Sequence, residues 1–240
     1  MYGKGFAIML LATATLSWNA VSAYAYEGGA VTNGGTISGI VKLQGTAPAA
    51  KTIEVTKDKQ VCGKHPIKNE DLLVGPQGGI ANAVVSITNI SKGKAMERAT
   101  PVLDQKGCVY RPHVLLFPAG STVKIKNDDG ILHNIHTYSE KNPPINRAQP
   151  KFKKTIKEKF AEPEVVKVTC DAHGWMHGWF VVQDNPYYAK TDANGHFTLT
   201  DVPAGDYELK VWQEKLGEKT QKVTVPAGGE AKVTFELTQK

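Results

Sequence analysis

Apolar and polar residues alternate with a period of two along most of the chain. Because successive side chains of a strand point to opposite faces, this alternation predicts β-strands with one buried face. No segment longer than a turn or two has helical periodicity. Turn-forming residues separate the alternating stretches, as at 192–195 and 202–206. The pattern therefore predicts an all-β fold, most simply β-sandwiches. The clearest alternating stretches are 37–43, 83–87, 207–211 and 233–237.

Residues 170–176 concentrate three metal-binding side chain types. Cys170, His173 and Met176 supply a thiol, an imidazole and a thioether within seven residues. The stretches 165–169 and 178–182 both predict strands, so the three groups lie at the tip of a strand–loop–strand unit. A thiolate and a neutral imidazole suit a thiophilic transition metal such as copper.

A second motif lies upstream of this loop. Asn127 is followed by His133 and Asn134, and Cys170 is followed by His173 and Met176. The N-x₅-H-N and C-x₂-H-x₂-M motifs together resemble the cupredoxins, the small blue-copper electron carriers, with the short ligand loop of amicyanin-type members. The resemblance implies a Greek-key β-sandwich over residues 99–183. It also implies one type 1 copper ion bound by His133, Cys170 and His173, with Met176 as weak axial ligand. His173 then lies at an apolar end of the protein, where the electron leaves.

Strand parity separates the candidate histidines. His133 and His136 fall on opposite faces of one predicted strand, and Cys170 falls on an apolar face of another. His133 can therefore join Cys170 inside the sandwich, while His136 remains a weaker candidate with a structural or surface role. His177 follows Met176 and is the alternative axial ligand, which would lower the reduction potential. The remaining histidines lack ligand-type neighbours: His65, His113 and His196.

The C-terminal region has a second family resemblance. Residues 188–209 are similar to a carboxypeptidase-regulatory-like, or transthyretin-like, β-sandwich. The region after 184 holds too few strands to close its own core, and residues 35–41 and 81–87 resemble the opening strands of the same domain. We therefore expect a split domain, residues 32–98 plus 184–240, with the cupredoxin 99–183 inserted. The alternative is that residues 32–98 extend the cupredoxin sheet.

The chain contains three cysteines. If Cys170 binds copper, Cys62 and Cys108 remain to form a disulfide that joins the two predicted domains. Such a cross-link stabilises a fold by roughly 3–4 kcal/mol in the loop-entropy model. The alternative for Cys170 is an unpaired buried cysteine.

The N-terminus predicts export. Residues 1–25 combine Lys4, a mostly apolar core and an Ala23-Tyr24-Ala25 cleavage motif, which is typical of a signal peptide. No other stretch approaches the roughly 18 apolar residues of a membrane span. A periplasmic location fits best. The charge of 29 basic against 23 acidic residues is a mild excess of scattered lysines and does not indicate nucleic-acid binding.

These features favour an electron carrier over an enzyme. The chain has no His-x-His pair for a second copper centre and no His-Glu-x-x-His motif for a zinc peptidase. A copper carrier or a partner-binding module remains the alternative. The expected partner is a redox protein such as a c-type cytochrome or a dehydrogenase, while the oligomeric state is left open. Its docking residues would be Trp175 and a lysine run that is otherwise an ordinary solvated strand: Lys153, Lys157 and Lys159.

Overall fold

The computed structural model describes Met1 and residues 26–49 and 51–239. The predicted signal peptide, apart from Met1, lies outside the described residues. No helix among the described residues is long and apolar enough to cross a membrane. The elements are β1 (Glu27–Gly29), β2 (Gly35–Gln44), β3 (Thr52–Ile53), α1 (Lys59–Cys62), β4 (Ile67–Lys68), β5 (Val84–Ile87), β6 (Lys92–Lys94), β7 (Val102–Gln105), β8 (Tyr110–Arg111), β9 (Val114–Pro118), β10 (Ser121–Asn127), β11 (His133–Tyr138), β12 (Asn146–Gln149), β13 (Thr155–Phe160), β14 (Glu164–Thr169), β15 (His177–Gln183), β16 (Tyr188–Lys190), β17 (His196–Val202), β18 (Gly205–Gln213), β19 (Gly217–Val225) and β20 (Glu230–Thr238).

Strands from the two ends of the chain form one sandwich, here called the flanking sandwich. β2 pairs in parallel with β20 and antiparallel with β17, while β5 pairs with β16 and β18. Its sheets have the orders β16-β5-β18-β19 and β17-β2-β20. Among the described residues, β2 and β5 form ladders only with strands after residue 184 and with none of the strands in 99–183. Its core includes fully buried side chains from both ends: Ile37, Val41, Val85 and Phe235.

The central part of the chain forms a second sandwich, here called the middle sandwich. Its sheets have the orders β13-β10-β7-β8 and β12-β11-β14-β15-β9. Three aromatic rings fill its centre, with centroids 5.1–5.9 Å apart: Phe117, Phe160 and Phe180. These edge-on contacts come from strands of both sheets, so they hold the two layers together. The predicted fold class, all-β with two joined sandwiches, is confirmed.

The structure differs from the predicted division in the segment 52–68. This segment contains β3, α1 and β4, and it packs on the middle sandwich rather than the flanking one: Cys62 and Ile67 belong to the middle core. Cys62 is also bonded to Cys108, with an S–S distance of 2.00 Å and a Cα–Cα distance of 5.3 Å. The disulfide and the apolar contacts therefore fix a segment that strand alternation alone could not place.

A small apolar cluster joins the two sandwiches. Val84 of β5 is buried against Val114 and Val181 of the middle sandwich. Beside them, Trp179 and Trp212 meet edge-on with ring centroids 5.1 Å apart. The side chains of β5 are buried on both of its faces because one face belongs to the flanking core and the other to this junction.

Candidate metal centre

Two strand ends bring the predicted ligands together. His133 begins β11, and its side chain is fully buried on the same face as Ile135. Cys170 follows β14 and is 2 % exposed, on the apolar face of Val166 and Val168. β11 and β14 are antiparallel neighbours, so the start of one lies next to the end of the other. The observed burial of His133 and Cys170 thus agrees with the buried faces that strand parity predicts for them.

Three donor atoms form a compact triangle in this region. His133 Nδ1 lies 3.0 Å from His173 Nδ1, and Cys170 Sγ lies 3.9 Å and 3.8 Å from these two nitrogens. All three residues are buried. The centre of such a triangle is about 2.1 Å from each atom, within the bond lengths of about 2.0–2.3 Å that nitrogen and sulfur ligands make to first-row metals. The residues present therefore fit a copper ion without rearrangement.

Backbone hydrogen bonds shape the ligand loop. Within it, Cys170 N donates to Met176 O at 3.1 Å, and Met176 N donates to His173 O at 2.9 Å. Across the site, Asn134 N donates to Cys170 Sγ at 3.5 Å, and the Asn134 Oδ1 accepts from Asp171 N at 2.5 Å. The Asn beside His133 thus ties the two ligand-bearing segments together and stabilises negative charge on the sulfur.

Each histidine of the donor triangle has a carboxylate on its outer nitrogen. His133 Nε2 is 2.9 Å from Asp129 Oδ2, and that carboxylate also accepts the backbone N–H groups of Gly107 and Cys108. His173 Nε2 is 2.9 Å from Asp58 Oδ2. Carboxylates at this position hold the ring and its tautomer so that the inner nitrogen faces the metal.

The surroundings of His173 differ from the apolar end that the resemblance implies. His173 is 1 % exposed because the segment 52–68 covers it. Asp58 is the residue in contact, and it belongs to this segment, 115 residues upstream of His173. The outer edge of the imidazole therefore faces a carboxylate rather than solvent.

The charged states of the donors suit a thiolate site. Burial raises the pKa of Cys170, but hydrogen bonds from His133 and from the Asn134 N–H outweigh it and bring the pKa below its usual value. Burial lowers the pKa of His133, but hydrogen bonds with Asp129 and Cys170 raise it to about 9. The thiolate is the form of cysteine that binds metals, so the surroundings favour the binding form of Cys170 even before a metal is bound. His133 pairs with it as an imidazolium and would release its proton on binding a metal.

The remaining candidate ligands occupy different positions. Met176 is 1 % exposed and belongs to the middle core, as an axial ligand requires. His177 points elsewhere, with Nε2 2.7 Å from Asp71 Oδ1. His136 is partly exposed, 3.0 Å from Asp171 and stacked on Tyr138. Neither His136 nor His177 joins the donor triangle.

The candidate docking residues lie in two places. Trp175 is half-buried: its ring packs on that of His173 at 5.1 Å, and its Nε1 donates to Cys108 O. Lys157 and Lys159 are exposed on β13, which pairs with β10 alone among the described strands, and Lys153 is exposed in the turn before it. Their role in docking stays a prediction.

Sequence reasoning missed both carboxylates at the site. Asp129 is four residues before His133, so the local sequence contained a signal for it. No local signal pointed to Asp58, because only the disulfide and the packing of the segment 52–68 bring it near His173. From the sequence, His113 was expected to be hydrogen-bonded rather than metal-bound; the structure places it beside His177 and Glu214.

Comparisons with known proteins agree with the two resemblances over parts of the chain. The carboxypeptidase regulatory-like domain model matches residues 181–238. A reduced Cu(I) form of an amicyanin mutant at pH 4 is 22 % identical, covering 36 % of this chain and 85 % of that one, with a TM-score of 0.32. A novel purple cupredoxin from Nitrosopumilus maritimus is 26 % identical, covering 35 % and 99 %, with a TM-score of 0.30.

A copper-containing nitrite reductase from Thermus scotoductus is 21 % identical over 40 % of this chain, with a TM-score of 0.33. The chain spans only a quarter of that enzyme. A search of curated proteins found no match. At these scores the structural likenesses are local, so the function rests on the residues of the site itself.

Proposed function

We propose that this chain is an exported type 1 copper protein that transfers single electrons between redox partners in the periplasm. The observation that carries the proposal is the buried triangle of Cys170 Sγ, His133 Nδ1 and His173 Nδ1. When bound, a single copper ion would supply one-electron chemistry by alternating between Cu(I) and Cu(II). Met176, buried beside these donors, is the proposed weak axial ligand.

The chain's own residues keep the donors in place. β11 and β14 are hydrogen-bonded neighbours, and Asn134 links their two ligand-bearing ends. Asp129 and Asp58 hold the two imidazoles from outside. A preformed site of this kind changes little between oxidation states, and small reorganisation favours rapid electron transfer rather than substrate turnover. We therefore propose an electron carrier rather than a catalyst.

The proposed partner is a soluble redox protein such as a c-type cytochrome or a dehydrogenase. The half-buried Trp175 packs directly on His173 and would provide the contact nearest to the metal. The exposed lysines Lys153, Lys157 and Lys159 would attract an acidic partner and raise the rate of encounter. This gain in encounter rate should become smaller as the salt concentration increases.

The decisive experiment is the visible spectrum of the mature chain loaded with Cu(II). We expect an intense thiolate-to-copper charge-transfer band, which Cys170→Ser should abolish because imidazoles and a thioether give only weak visible absorption. The matched control is His136→Ala, which removes an imidazole outside the triangle and should leave the band intact. A colour that survives Cys170→Ser, or that disappears with His136→Ala, would contradict the ligand assignment.

A second candidate function is copper carriage or storage. The observation that favours it is the cover over His173, because Asp58 and a disulfide-anchored segment close the edge by which an electron would leave. Measurement of the electron self-exchange rate distinguishes the two functions. Rapid self-exchange supports the electron carrier, whereas slow self-exchange with ready transfer of Cu(I) to a competing chelator supports the copper carrier.

A further inference from the structure

A second group of donor side chains lies where the two sandwiches meet, outside the thiolate site. His113 and His177 belong to the middle sandwich, and Glu214 follows β18 of the flanking sandwich. Ligand-type atoms of these three residues all lie within 4.8 Å of one another. His113 Nε2 contacts Glu214 Oε1, and His177 Nε2 lies 3.6 Å from Glu214 Oε2. Asp71 lies beside this group, with Oδ1 2.7 Å from His177 Nε2.

This group, here called the junction cluster, is largely shielded from water. The side chains of His113 and Glu214 are each 5 % exposed, and those of Asp71 and His177 are 16 % and 24 % exposed. Lys215 pairs with the carboxylate of Asp71, with Nζ 2.9 Å from Asp71 Oδ2, and its side chain is mostly exposed. Buried carboxylates need a compensating partner, and the cluster retains an excess of negative charge when both imidazoles are neutral.

Hydrogen bonds orient the donors toward a common centre. His177 Nδ1 is 3.3 Å from the carbonyl oxygen of Trp175, so that nitrogen carries the proton in the neutral ring and leaves the Nε2 lone pair facing the carboxylates. A backbone carbonyl on the far nitrogen is the usual arrangement for a histidine that binds a metal. Trp179 Nε1 donates to Glu214 Oε2 at 2.8 Å and fixes that carboxylate from behind.

Beside the cluster, one carboxylate oxygen makes no hydrogen bond. Asp71 Oδ1 is buried, and His177 Nε2 is only 2.7 Å away. If Nε2 carried a lone pair, the two atoms would repel each other, so this position requires a positive charge. A proton on His177 supplies that charge in the metal-free protein, and a metal ion bound to Nε2 would supply it in the loaded protein.

We propose that His113, His177 and Glu214 form a second metal site, for a divalent ion of the zinc type, which clamps the two sandwiches together. Two imidazoles and a carboxylate are donors that zinc accepts, and they leave the fourth tetrahedral position to water. Tetrahedral bonds of about 2.0–2.2 Å separate neighbouring donors by about 3.3–3.6 Å, close to the 3.6 Å between His177 Nε2 and Glu214 Oε2. The cluster has no thiolate, so it differs from the copper-type site in preferring a harder ion.

The test uses the mature chain loaded with one equivalent of Cu(I), which is soft and fills the thiolate site. The protein is then dialysed against Zn(II), and both metals are counted by atomic emission. We expect one zinc per chain and a higher melting temperature with zinc than without. Glu214→Gln keeps an oxygen for Trp179 but loses the charge. Glu214→Gln and His113→Ala should each weaken zinc binding by about tenfold or more and abolish the rise in melting temperature.

His136→Ala is the matched control, because it removes a partly exposed imidazole paired with a carboxylate away from the junction. It should retain one zinc and the full thermal shift. A separate Cu(II)-loaded sample of each variant should keep its colour, which shows that the middle sandwich is folded, so a loss of zinc cannot be attributed to unfolding. Wild-type protein that retains no zinc, or a coloured Glu214→Gln variant that binds zinc as tightly as wild type, would show that the junction cluster is an ion-pair network held by protons alone.

Discussion

At the scale of single residues, Asp58 has the most unusual position near the thiolate site. It has a left-handed backbone conformation, with φ of 50°, before the short helix α1. Non-glycine residues adopt this conformation rarely, although Asp and Asn adopt it more readily than others. Its backbone carbonyl accepts the N–H groups of Val61 and Cys62, and its side chain reaches His173 Nε2. One residue thus connects the covering segment to the metal centre.

We therefore expect Asp58→Asn to change the redox behaviour of the copper-loaded protein while preserving its fold. Asn tolerates the left-handed conformation and keeps an oxygen for His173, but it removes a negative charge that favours Cu(II). The reduction potential should increase by tens of millivolts, where about 59 mV equals a tenfold change in a one-electron equilibrium. Protein-film voltammetry of the copper-loaded variant and wild type measures this reduction potential.

Glu54→Gln is the matched control, since it removes an exposed carboxylate from the same segment. It should leave the potential close to that of the wild type. An unchanged or lower potential in Asp58→Asn would show that this carboxylate does not act on the metal through His173.

At the scale of elements, the disulfide anchors the covering segment 52–68. Cys62 ends α1, and Cys108 lies in the turn between β7 and β8, 46 residues away in sequence. In the loop-entropy model, a cross-link of this span stabilises the fold by about 4 kcal/mol. The same bond holds Asp58 near His173, because Asp58 immediately precedes α1.

Replacing both half-cystines, Cys62→Ala with Cys108→Ala, should therefore have two effects. The free energy of unfolding in denaturant should fall by up to about 4 kcal/mol, and a chelator should remove copper faster from the folded protein. Thiol titration of the unfolded, unreduced wild type should count one free thiol, from Cys170. A count of three, or unchanged rates of copper removal, would contradict this role of the disulfide.

Glu164, the first residue of β14, holds the loop after β11. Its carboxylate accepts hydrogen bonds from Ser139, Asn142 and the backbone N–H of Glu140. Burial raises its pKa, but these hydrogen bonds outweigh burial and lower the pKa from 4.5 to about 2. Because the folded-state pKa is the lower one, this stabilisation is complete above about pH 4.5 and is lost as the pH falls toward 2.

Glu164→Gln should consequently make stability less dependent on pH between about 4.5 and 2, as measured by chemical denaturation at several pH values. The control is Glu162→Gln, which removes an exposed carboxylate close by that accepts none of these hydrogen bonds. It should leave the acid-induced loss of stability as in the wild type. If the stability of Glu164→Gln depends on pH as that of the wild type does, Glu164 does not stabilise the loop after β11.

At the scale of the whole molecule, the two sandwiches share a buried junction. Val84 is 2 % exposed and packs on Val114 and Val181, which are 1 % exposed. The disulfide and the segment 52–68 form a second connection near the metal centre. With two connections and a shared core, the chain should unfold as one cooperative unit.

Val84→Asp tests this expectation, because it buries an unpaired charge at the junction. We expect calorimetry to show a melting temperature several degrees lower, or two separate transitions in place of one. Val102→Asp is the control, since Val102 is 40 % exposed and lies away from the junction. If Val84→Asp melts as the wild type does, the two sandwiches are not energetically coupled through Val84.

The sequence by itself determined the all-β fold through local periodicity, and the resemblance to cupredoxins named His133, Cys170 and His173 as candidate donors. Strand alternation assigned His133 and Cys170 to buried faces, and the three-residue spacing kept His173 within reach of Cys170. The same alternation kept His136 off the buried face, where the structure also places it. These inferences need only neighbours along one strand or one loop, so they hold before the chain is folded.

The tertiary structure alone decided what surrounds the site. Asp58 reaches His173 from 115 residues away, and Glu214 reaches His113 from 101 residues away. No periodicity links such pairs, because their proximity depends on how two sandwiches and a disulfide-anchored segment pack. That packing decides whether the edge of a histidine ring is open to solvent. It also decides whether two histidines meet two carboxylates at a junction.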